Sequence, residues 1–338
     1  MPTDSRPRRG GWLGWIAAAR AWLFLALLLI FFEVWARASY GNSFLLNLYN
    51  LQSITVFAVA PLLLALGQTL VIISGGIDLS VGFVMGLAAV VTAHVTVLVE
   101  PAAGPTVAVL AGALAAFVVA AIPGLINGVL IARLRVPPFI GTLGMYGVAR
   151  GVGFLVAGGT TVPVSNQELA WLGNGTAWII PMPVLVTIII VAGMHYTLSQ
   201  SRFGQHVYAI GGNRQAARRS GIEVSRNTLA LYVIAALCAA ASGVLYTARF
   251  TAGAAQAGEP LLLDSIAAVV IGGASLFGGS GTIIGTVIGA LIIAVIQFGL
   301  VFINVEPFWQ FVAVGVVIVI SVMVDQSQKR LTEGVRDE

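Results

Sequence analysis

Apolar residues run along this chain in long stretches that are separated by short clusters of glycine, proline and charged residues. A membrane-spanning helix needs about 20 predominantly apolar residues, and ten stretches approach this length. They are Ala21–Ala36, Leu51–Ile73, Leu79–Val99, Thr106–Ala132, Phe139–Ala157, Trp178–Tyr196, Asn227–Ala248, Leu261–Phe277, Thr282–Val301 and Pro307–Val324. The pattern predicts an all-α, polytopic transmembrane bundle of about ten spans, and the exact number depends on whether Gly75–Asp78 re-enters the membrane.

The composition excludes several classes of protein. Of the 338 residues, 58% are hydrophobic and 9% are charged, and the mean hydropathy is +0.97. Soluble domains average roughly 45–50% apolar and about 25% charged residues, so a soluble enzyme, a disordered chain and a disulfide scaffold are all excluded. Ten spans use roughly 200 residues, which leaves too few for a second soluble domain of usual size.

The basic residues predict the orientation of the spans, because cytoplasmic loops of membrane proteins carry an excess of arginine and lysine. If ten spans alternate from a cytoplasmic N-terminus, 14 of the 17 basic residues fall inside the cell. Arg37 and Arg249 fall outside, and Arg150 lies within the fifth span. Both termini are therefore predicted to be cytoplasmic.

The predicted organisation has one large membrane domain between two cytoplasmic ends. Its parts are a segment at 1–20, the transmembrane domain at 21–324 with a cytoplasmic loop at 197–226, and a tail at 325–338. Ala36-Arg37-Ala38 faintly resembles a signal-peptidase site. Glu33 and the nine further spans nevertheless favour an uncleaved first helix.

The chain has a single lysine, Lys329, which lies in the predicted tail. A P-loop needs a lysine directly after a glycine-rich turn, and no such turn precedes Lys329. We therefore predict no nucleotide site and no cofactor in this chain, so that any ATPase driving it must be another chain. The three histidines share no spacing typical of metal ligands and accompany no catalytic motif.

The predicted cytoplasmic loop contains a short helix. Asn213 is a good N-cap and Gly221 a good residue to follow the helix end, with about two turns of strong helix formers between them. So short a helix is marginal alone and must dock onto something. A small apolar face rimmed by arginine suits a groove in a partner protein, and a positively charged loop lying on anionic lipid fits equally well.

The same loop carries a family resemblance. The stretch Phe203–Ile222 resembles the coupling loop of ABC importer permeases of the ribose and simple-sugar type. Three further stretches are similar to that family in the right order, and together they cover roughly Leu51 to Leu300. They are Gly67–Gly82, Asn127-Gly128 with Leu134–Gly144 and Arg150-Gly151, and Leu263–Gly273 continuing to Leu291.

The resemblance implies the transmembrane permease subunit of an importer in the bacterial inner membrane, most simply a homodimer. Its implied partners are an ABC ATPase that binds ATP-Mg, a periplasmic or lipid-anchored sugar-binding protein, and the lipid bilayer. The implied substrate is a monosaccharide or related polyol, and nucleosides or branched-chain amino acids are the nearest alternatives. The residues of the implied coupling helix are Gly212, Asn213, Arg214, Ala216, Ala217, Arg218, Ser220 and Gly221.

The sequence departs from the family pattern at two places. Members usually have Glu-Leu-Asp-Ala entering the eighth span, where this chain has Leu262-Leu263-Asp264-Ser265. Near the end of the ninth span, members often have Asn-Asn-Gly-Leu or Asn-Asn-Gly-Met, where this chain has Gln297-Phe298-Gly299-Leu300. Both changes make the outer half less polar and weaken the inference of one particular sugar.

Polar residues within or between the apolar stretches, together with two glycines, are the candidates for a translocation pathway or gate. They are Gln68, Gly75, Gly76, Asp78, Ser80, Asn127, Arg150, Asp264 and Gln297. Each polar side chain either lines the pathway or forms a structural bond between helices. For Gly75–Ser80 the alternatives are a gate beside the pathway and a tight cytoplasmic hairpin with a capping aspartate.

Two hypotheses compete with the ABC permease. A secondary transporter or channel for a small polar solute would use Asp78, Asp264 or Glu33 for ion coupling. A membrane-embedded enzyme would need a clustered polar site, which the sequence does not show. Arg150 and Asp264 are either an ion pair or separate structural groups, with Arg150 bonded to backbone carbonyls and Asp264 capping its helix.

Overall fold

Long helices dominate the computed structural model, which describes residues 12–306 and 308–334, with side chains from Arg20 to Ile320 and at Met323. The helices are α1 (Trp12–Tyr40), α2 (Leu48–Ile73), α3 (Val81–Ala103), α4 (Pro105–Ala132), α5 (Pro138–Val156), α6 (Gln167–Asn174), α7 (Met182–Gln200), α8 (Arg202–Gly212), α9 (Arg214–Arg219), α10 (Val224–Phe250), α11 (Glu259–Ile271), α12 (Ile283–Phe302) and α13 (Phe308–Gly334). The predicted all-α membrane bundle is thus confirmed. The N-terminal arginines at 6, 8 and 9 and the tail's Arg336 lie outside the described residues.

Two small two-stranded sheets complete the fold. Strand β1 (Val162–Pro163) pairs antiparallel with β4 (Ala252–Gly253), and β2 (Thr176–Ala177) pairs antiparallel with β3 (Ile180–Pro181). The β2–β3 hairpin replaces the start of the predicted span Trp178–Tyr196. Its turn residue Trp178 has φ +59° and is 92% exposed, and the helix begins only at Met182, with Pro183 in its first turn.

Among the described residues, eight helices are long and apolar enough to cross a membrane, and α13 adds a shorter apolar stretch, Phe308–Ile320. Helices α2, α3, α10 and α12 form the centre, because 67–83% of the residues in their most apolar windows are buried. For α1, α4, α5 and α7 the corresponding share is only 22–28%. These outer helices expose leucine, valine and isoleucine, as expected of surfaces that face lipid or a second protein.

The predicted eighth span, Leu261–Phe277, is wrong in form. The chain instead runs without helix from Thr251 to Gly258 and then forms α11, which is 13 residues long. At 1.5 Å per residue α11 measures roughly 20 Å, less than the roughly 30 Å of a bilayer core. The helix begins at Glu259, two residues before the predicted start, but Gly272-Gly273 end it six residues before the predicted end. An apolar run alone does not reveal such a break.

The non-helical segment 251–258 lies directly against the first half of α3. A Cβ on Gly86 would overlap the carbonyl oxygen of Ala255, and one on Gly258 would overlap that of Gly82. Irregular backbone at membrane depth is tolerated only when it is buried in protein or lines a water-filled space. This segment and α11 therefore form one unit that packs against α3, beside the eight helices of the described residues that are long enough to cross a membrane. The count of ten spans stays a prediction.

Coupling loop and candidate translocation site

The short helix predicted between Asn213 and Gly221 is confirmed as α9. The Asn213 Oδ1 accepts hydrogen bonds from the backbone N–H groups of Gln215 (3.0 Å) and Ala216 (2.9 Å). Gly221 has φ +82° and donates its N–H to the Arg218 carbonyl at 3.2 Å. Both ends of the helix are therefore satisfied locally, as expected for so short an element.

Helix α9 docks partly onto its own chain. Ala217 is buried with Ile210 and Val224, whereas Ala216 remains exposed. The predicted apolar face is thus divided between the two alanines. Ala216 is available to a partner, while Ala217 anchors the helix.

Helix α8 precedes α9 and was missed from the sequence. Ser201 caps it by accepting a hydrogen bond from the N–H of Gly204 at 3.1 Å, and Gly204, Val207 and Ile210 form its buried face. These three positions are each three residues apart, which is a spacing typical of one helix face. It was hidden by the surrounding glycine and polar residues, which are also typical of loops.

Helix α8 connects the loop to the inner ends of the central helices. Gly211 packs so closely on α2 that a Cβ would overlap the carbonyl oxygen of Ile73. The same carbonyl accepts a hydrogen bond from Gly279 N–H at 2.8 Å, and the Tyr208 hydroxyl donates to the Gly281 carbonyl at 2.7 Å. We call these five residues the coupling junction.

The Tyr208 hydroxyl can donate its hydrogen bond to the Gly281 carbonyl at any physiological pH. Partial burial raises the pKa of Tyr208 above its ordinary value, so the phenol keeps its proton and remains a donor. It therefore holds the connection between α11 and α12 to the cytoplasmic loop without depending on pH.

The segment between α2 and α3 folds back along the end of α2. After Ile73 the chain turns back beside α2, where Gly76 N–H donates to the Val71 carbonyl at 2.9 Å. The Gln68 side-chain amide then donates to the Asp78 carbonyl. The segment thus folds back alongside the last turns of α2. The gate and the hairpin with a capping aspartate both stay predictions.

A buried polar network surrounds Asp78. Its Oδ1 accepts from the Ser80 hydroxyl (2.6 Å) and backbone N–H (2.8 Å), and Asn127 Nδ2 donates to the same hydroxyl at 3.0 Å. The structure therefore brings together Gln68, Asp78, Ser80 and Asn127 from three elements. Within the described chain, the Asn127 Oδ1 is buried without a hydrogen-bond partner.

Arg150 and Asp264 do not pair within the described chain. The guanidinium carbon of Arg150 lies 5.4 Å from the centre of the Phe83 ring, a cation–π distance. Asp264 is buried within α11, not at its end, and accepts a hydrogen bond from Gln297 Nε2 at 2.9 Å. The two predicted structural alternatives, a bond from Arg150 to backbone carbonyls and a helix cap by Asp264, are thus wrong as well.

Two residues of an exposed polar strip were missed from the sequence. The Tyr146 hydroxyl donates to Glu259 Oε1 at 3.4 Å, and the Tyr146 ring packs edge-on against Phe83 at 4.6 Å. Together with Arg150, these side chains form a strip where α5 meets the start of α11. Because Tyr146 and Glu259 are 113 positions apart, no local sequence pattern connects them.

Glu33 has a structural environment that differs from that of an ion-coupling group. Its carboxylate accepts hydrogen bonds from the backbone N–H groups of Phe44 and Leu45, both at 2.8 Å, and from the Ser43 hydroxyl. Arg37 is its ion-pair partner. Arg37 lies one turn away on α1, and the other three partners belong to the connection between α1 and α2, so Glu33 holds that connection against α1.

Comparison with known proteins gives these features a family context. A family described as "Branched-chain amino acid transport system / permease component" matches residues 50–322. The ribose import permease of Escherichia coli (strain K12) is 36% identical over 319 residues, which cover 92% of this chain and 96% of the relative.

Two further relatives are import permeases for other sugars. The fructose import permease of Rhizobium meliloti is 34% identical over 91% of this chain and 85% of its own length. The galactose/methyl galactoside import permease of Haemophilus influenzae is 35% identical over 83% of this chain and 87% of its own length.

Proposed function

We propose a monosaccharide import function for this chain, which belongs to the branched-chain amino acid transport system / permease component family. It is the membrane subunit of an ABC importer in the bacterial inner membrane, and its cargo is a monosaccharide or related polyol. The identities to ribose, fructose and galactose import permeases support this cargo class. The coupling junction is the structural observation that carries the proposal, because it joins the cytoplasmic loop to the helices that must move.

The partners follow from what the chain lacks. A separate ATPase binds ATP-Mg and docks on the exposed side of α9, where Ala216, Arg219 and Ser220 lie. A sugar-binding protein delivers the cargo from outside. A second copy of the chain covers the exposed face of α5 and completes the pathway.

Transport proceeds by alternating access. When the ATPase closes, it pushes on α9, and α8 transmits the displacement through Gly211 and Tyr208 to the inner ends of α2 and α12. The segment 74–80 and helix α11 adjoin this junction, so both shift together. We assign the gate to Gly75, Gly76, Asp78 and Ser80, which lie in the segment that folds back along α2.

The pathway is lined by the strip of Tyr146, Arg150 and Glu259. A carboxylate and a phenol bind sugar hydroxyls by hydrogen bonding, and the strip has few other polar groups, so the cargo is held weakly and released. Gly144, Gly147 and Gly151 are exposed beside it, and a Cβ added to any of them would meet nothing within 4 Å. They leave room for both the cargo and the second copy.

One alternative cargo has specific support. The family description names branched-chain amino acids, and the neighbouring Arg150 and Glu259 offer opposite charges for the carboxylate and ammonium groups of an amino acid. Uptake measurements with leucine and with ribose as competing labelled substrates distinguish the two. Stronger competition by leucine than by any monosaccharide would favour this alternative.

The test is reconstitution of the chain with its ATPase and binding protein in proteoliposomes. Replacing residues 213–220 with a glycine–serine linker is expected to abolish ATP-driven sugar uptake while the ATPase keeps its basal hydrolysis. ATP-driven uptake that survives this replacement, or uptake without any ATPase, would overturn the proposal.

A further inference from the structure

The cytoplasmic side of the chain has a second distinctive feature beside the coupling junction. A cavity of about 1360 Å³ lies between the α4–α5 connection, helix α9 and the start of α10. Most of its lining comes from Arg133, Arg135–Pro138, Arg214, Gln215, Arg218 and Gly221–Arg226. The cavity therefore joins the coupling helix to the inner ends of three membrane helices.

The cavity is strongly positive. Five arginines and one acid, Glu223, line it; the arginines are Arg133, Arg135, Arg214, Arg218 and Arg226. Within the part of the chain that the structure describes, none of these five guanidinium groups forms an ion pair. Five like charges around one concave surface repel each other and attract an anion.

One of the five arginines occupies a position that favours glycine. Arg135 follows the end of α4 with φ +58°, and the next residue closes the helix end, since Val136 N–H donates to the Leu130 carbonyl at 3.0 Å. A left-handed residue after a helix is usually glycine, because a Cβ is unfavourable there. The backbone would be more stable with glycine at 135, so an arginine there is explained better by its charge than by the fold.

Apolar residues accompany the arginines. Ile131, Val136 and Leu229 line the cavity, and the neighbouring Leu134 and Phe139 are 66% and 53% exposed. Arginines next to exposed apolar side chains at the cytoplasmic ends of membrane helices match the two halves of an anionic phospholipid. A soluble phosphate compound has no acyl chains to pack against these exposed apolar side chains.

We propose that this cavity binds the phosphate headgroup of an anionic phospholipid from the cytoplasmic leaflet, with the acyl chains lying over Leu134 and Phe139. Since Arg214 and Arg218 belong to α9, the bound headgroup ties the coupling helix to the ends of α4 and α10. Ala216, Arg219 and Ser220 do not line the cavity and remain free for the ATPase. The lipid thus holds α9 in the position at which the ATPase meets it.

The experiment measures lipid binding by the full-length chain, purified in detergent and stripped of lipid. Phosphatidylglycerol and phosphatidylcholine of equal chain length are then added, and native mass spectrometry counts how many molecules of each lipid stay bound. The variant is Arg135→Gly, which removes a guanidinium while supplying the residue that the backbone favours. Arg202→Gln, on an exposed arginine of α8 outside the cavity, is the matched control.

Phosphatidylglycerol is expected to bind in preference to phosphatidylcholine. Arg135→Gly should weaken its binding about fivefold, since a basic residue near a lipid surface contributes about 1 kcal/mol, whereas Arg202→Gln should leave it unchanged. The thermal midpoint of Arg135→Gly should equal or exceed that of the parent, which shows that misfolding is not the cause. Raising the salt concentration should weaken the binding.

Three outcomes would overturn the proposal. The first is equal binding of the two lipids, and the second is an equal effect of Arg135→Gly and Arg202→Gln. The third is displacement of phosphatidylglycerol by millimolar inorganic phosphate, which would identify a soluble anion as the ligand. Because none of these measurements involves transport, they test the lipid site separately from the proposed import function.

Discussion

Asp78 is the residue in which buried polarity and proposed movement meet. Its carboxyl group is 1% exposed and accepts both of its hydrogen bonds from Ser80. Burying a carboxylate costs far more than burying a neutral amide. The state seen here is therefore the one that the charge of Asp78 disfavours, and a movement that admits water to the segment 74–80 relieves this cost.

Replacing Asp78 with asparagine tests that idea at a single site. An asparagine keeps an oxygen for the Ser80 donors but removes the charge, so the buried state should gain stability over the opened one. A shift of about 1.4 kcal/mol changes the ratio of two states tenfold, and we expect ATP-driven uptake to fall about tenfold at an unchanged expression level.

Ser80→Ala is the control for Asp78→Asn. It removes two hydrogen bonds of the same network, to Asp78 and from Asn127, without changing the charge. It should therefore lower the thermal midpoint but reduce uptake less than Asp78→Asn does. If Asp78→Asn transports and couples ATP hydrolysis as the parent does, the segment is not a gate.

Helices α8 and α2 offer a test at the level of elements, because two adjacent glycines differ in their surroundings. Gly211 lies against the Ile73 carbonyl, whereas Gly212 has nothing within 4 Å of a Cβ position. Gly211→Ala should push α8 away from α2, at a cost of about 1–3 kcal/mol for overpacking. Uptake should be lost while ATP hydrolysis continues, as measured in proteoliposomes.

Gly212→Ala makes the same chemical change one residue later and should keep uptake near the parent level. Uptake at the parent level by both variants would show that the contact between α8 and Ile73 does not transmit movement. An equal loss of uptake in both variants would indicate a general sensitivity of the loop to alanine.

Apolar runs were sufficient to predict most of the membrane helices. Predicted Leu51–Ile73 is observed as Leu48–Ile73, and predicted Thr106–Ala132 as Pro105–Ala132, because long uniform apolar stretches leave a helix as the only satisfied backbone in lipid. The same criterion failed at the end of the predicted span Leu261–Phe277, which is short because Gly272-Gly273 stop α11, and it did not reveal that the preceding segment 251–258 is buried against a neighbouring helix. That neighbour, α3, is distant in sequence and could not be read from the segment itself.

The proposed site shows a similar division. Asn213 and Gly221 carry local conformational preferences, so the ends of α9 were predictable from them alone. Tyr146 and Glu259 become partners only when α5 and α11 meet, and Asp264 finds Gln297 rather than Arg150 for the same reason. Pairings between elements depend on how the helices pack, which one sequence does not specify.

For the whole molecule, the exposed face of α5 bears on assembly. Gly144, Gly147 and Gly151 lie on it with open space around them, and small residues of this kind let membrane helices approach closely. Gly151→Leu should therefore be tolerated within one chain but should clash with a second copy. We expect native mass spectrometry to show monomers for this variant and dimers for the parent.

Gly193→Leu on α7 is the matched control, since nothing lies within 4 Å of its Cβ position either. A leucine at 193 should face lipid and leave the dimer intact. Dimers of Gly151→Leu at the parent's level would place the subunit contact on another face.

The segment 251–258 and helix α11 have a consequence for how the protein is made. Its partner groove on α3, around Gly82 and Gly86, leaves the ribosome roughly 170 residues earlier, which at about 5–20 residues per second is a delay of about 8–34 seconds. A 13-residue helix preceded by irregular backbone has no stable place of its own in lipid, so it depends on the groove that α3 already offers. During biogenesis, therefore, an early helix stays uncovered until a late segment arrives, and that interval is when a nascent chain is most exposed to quality-control proteases.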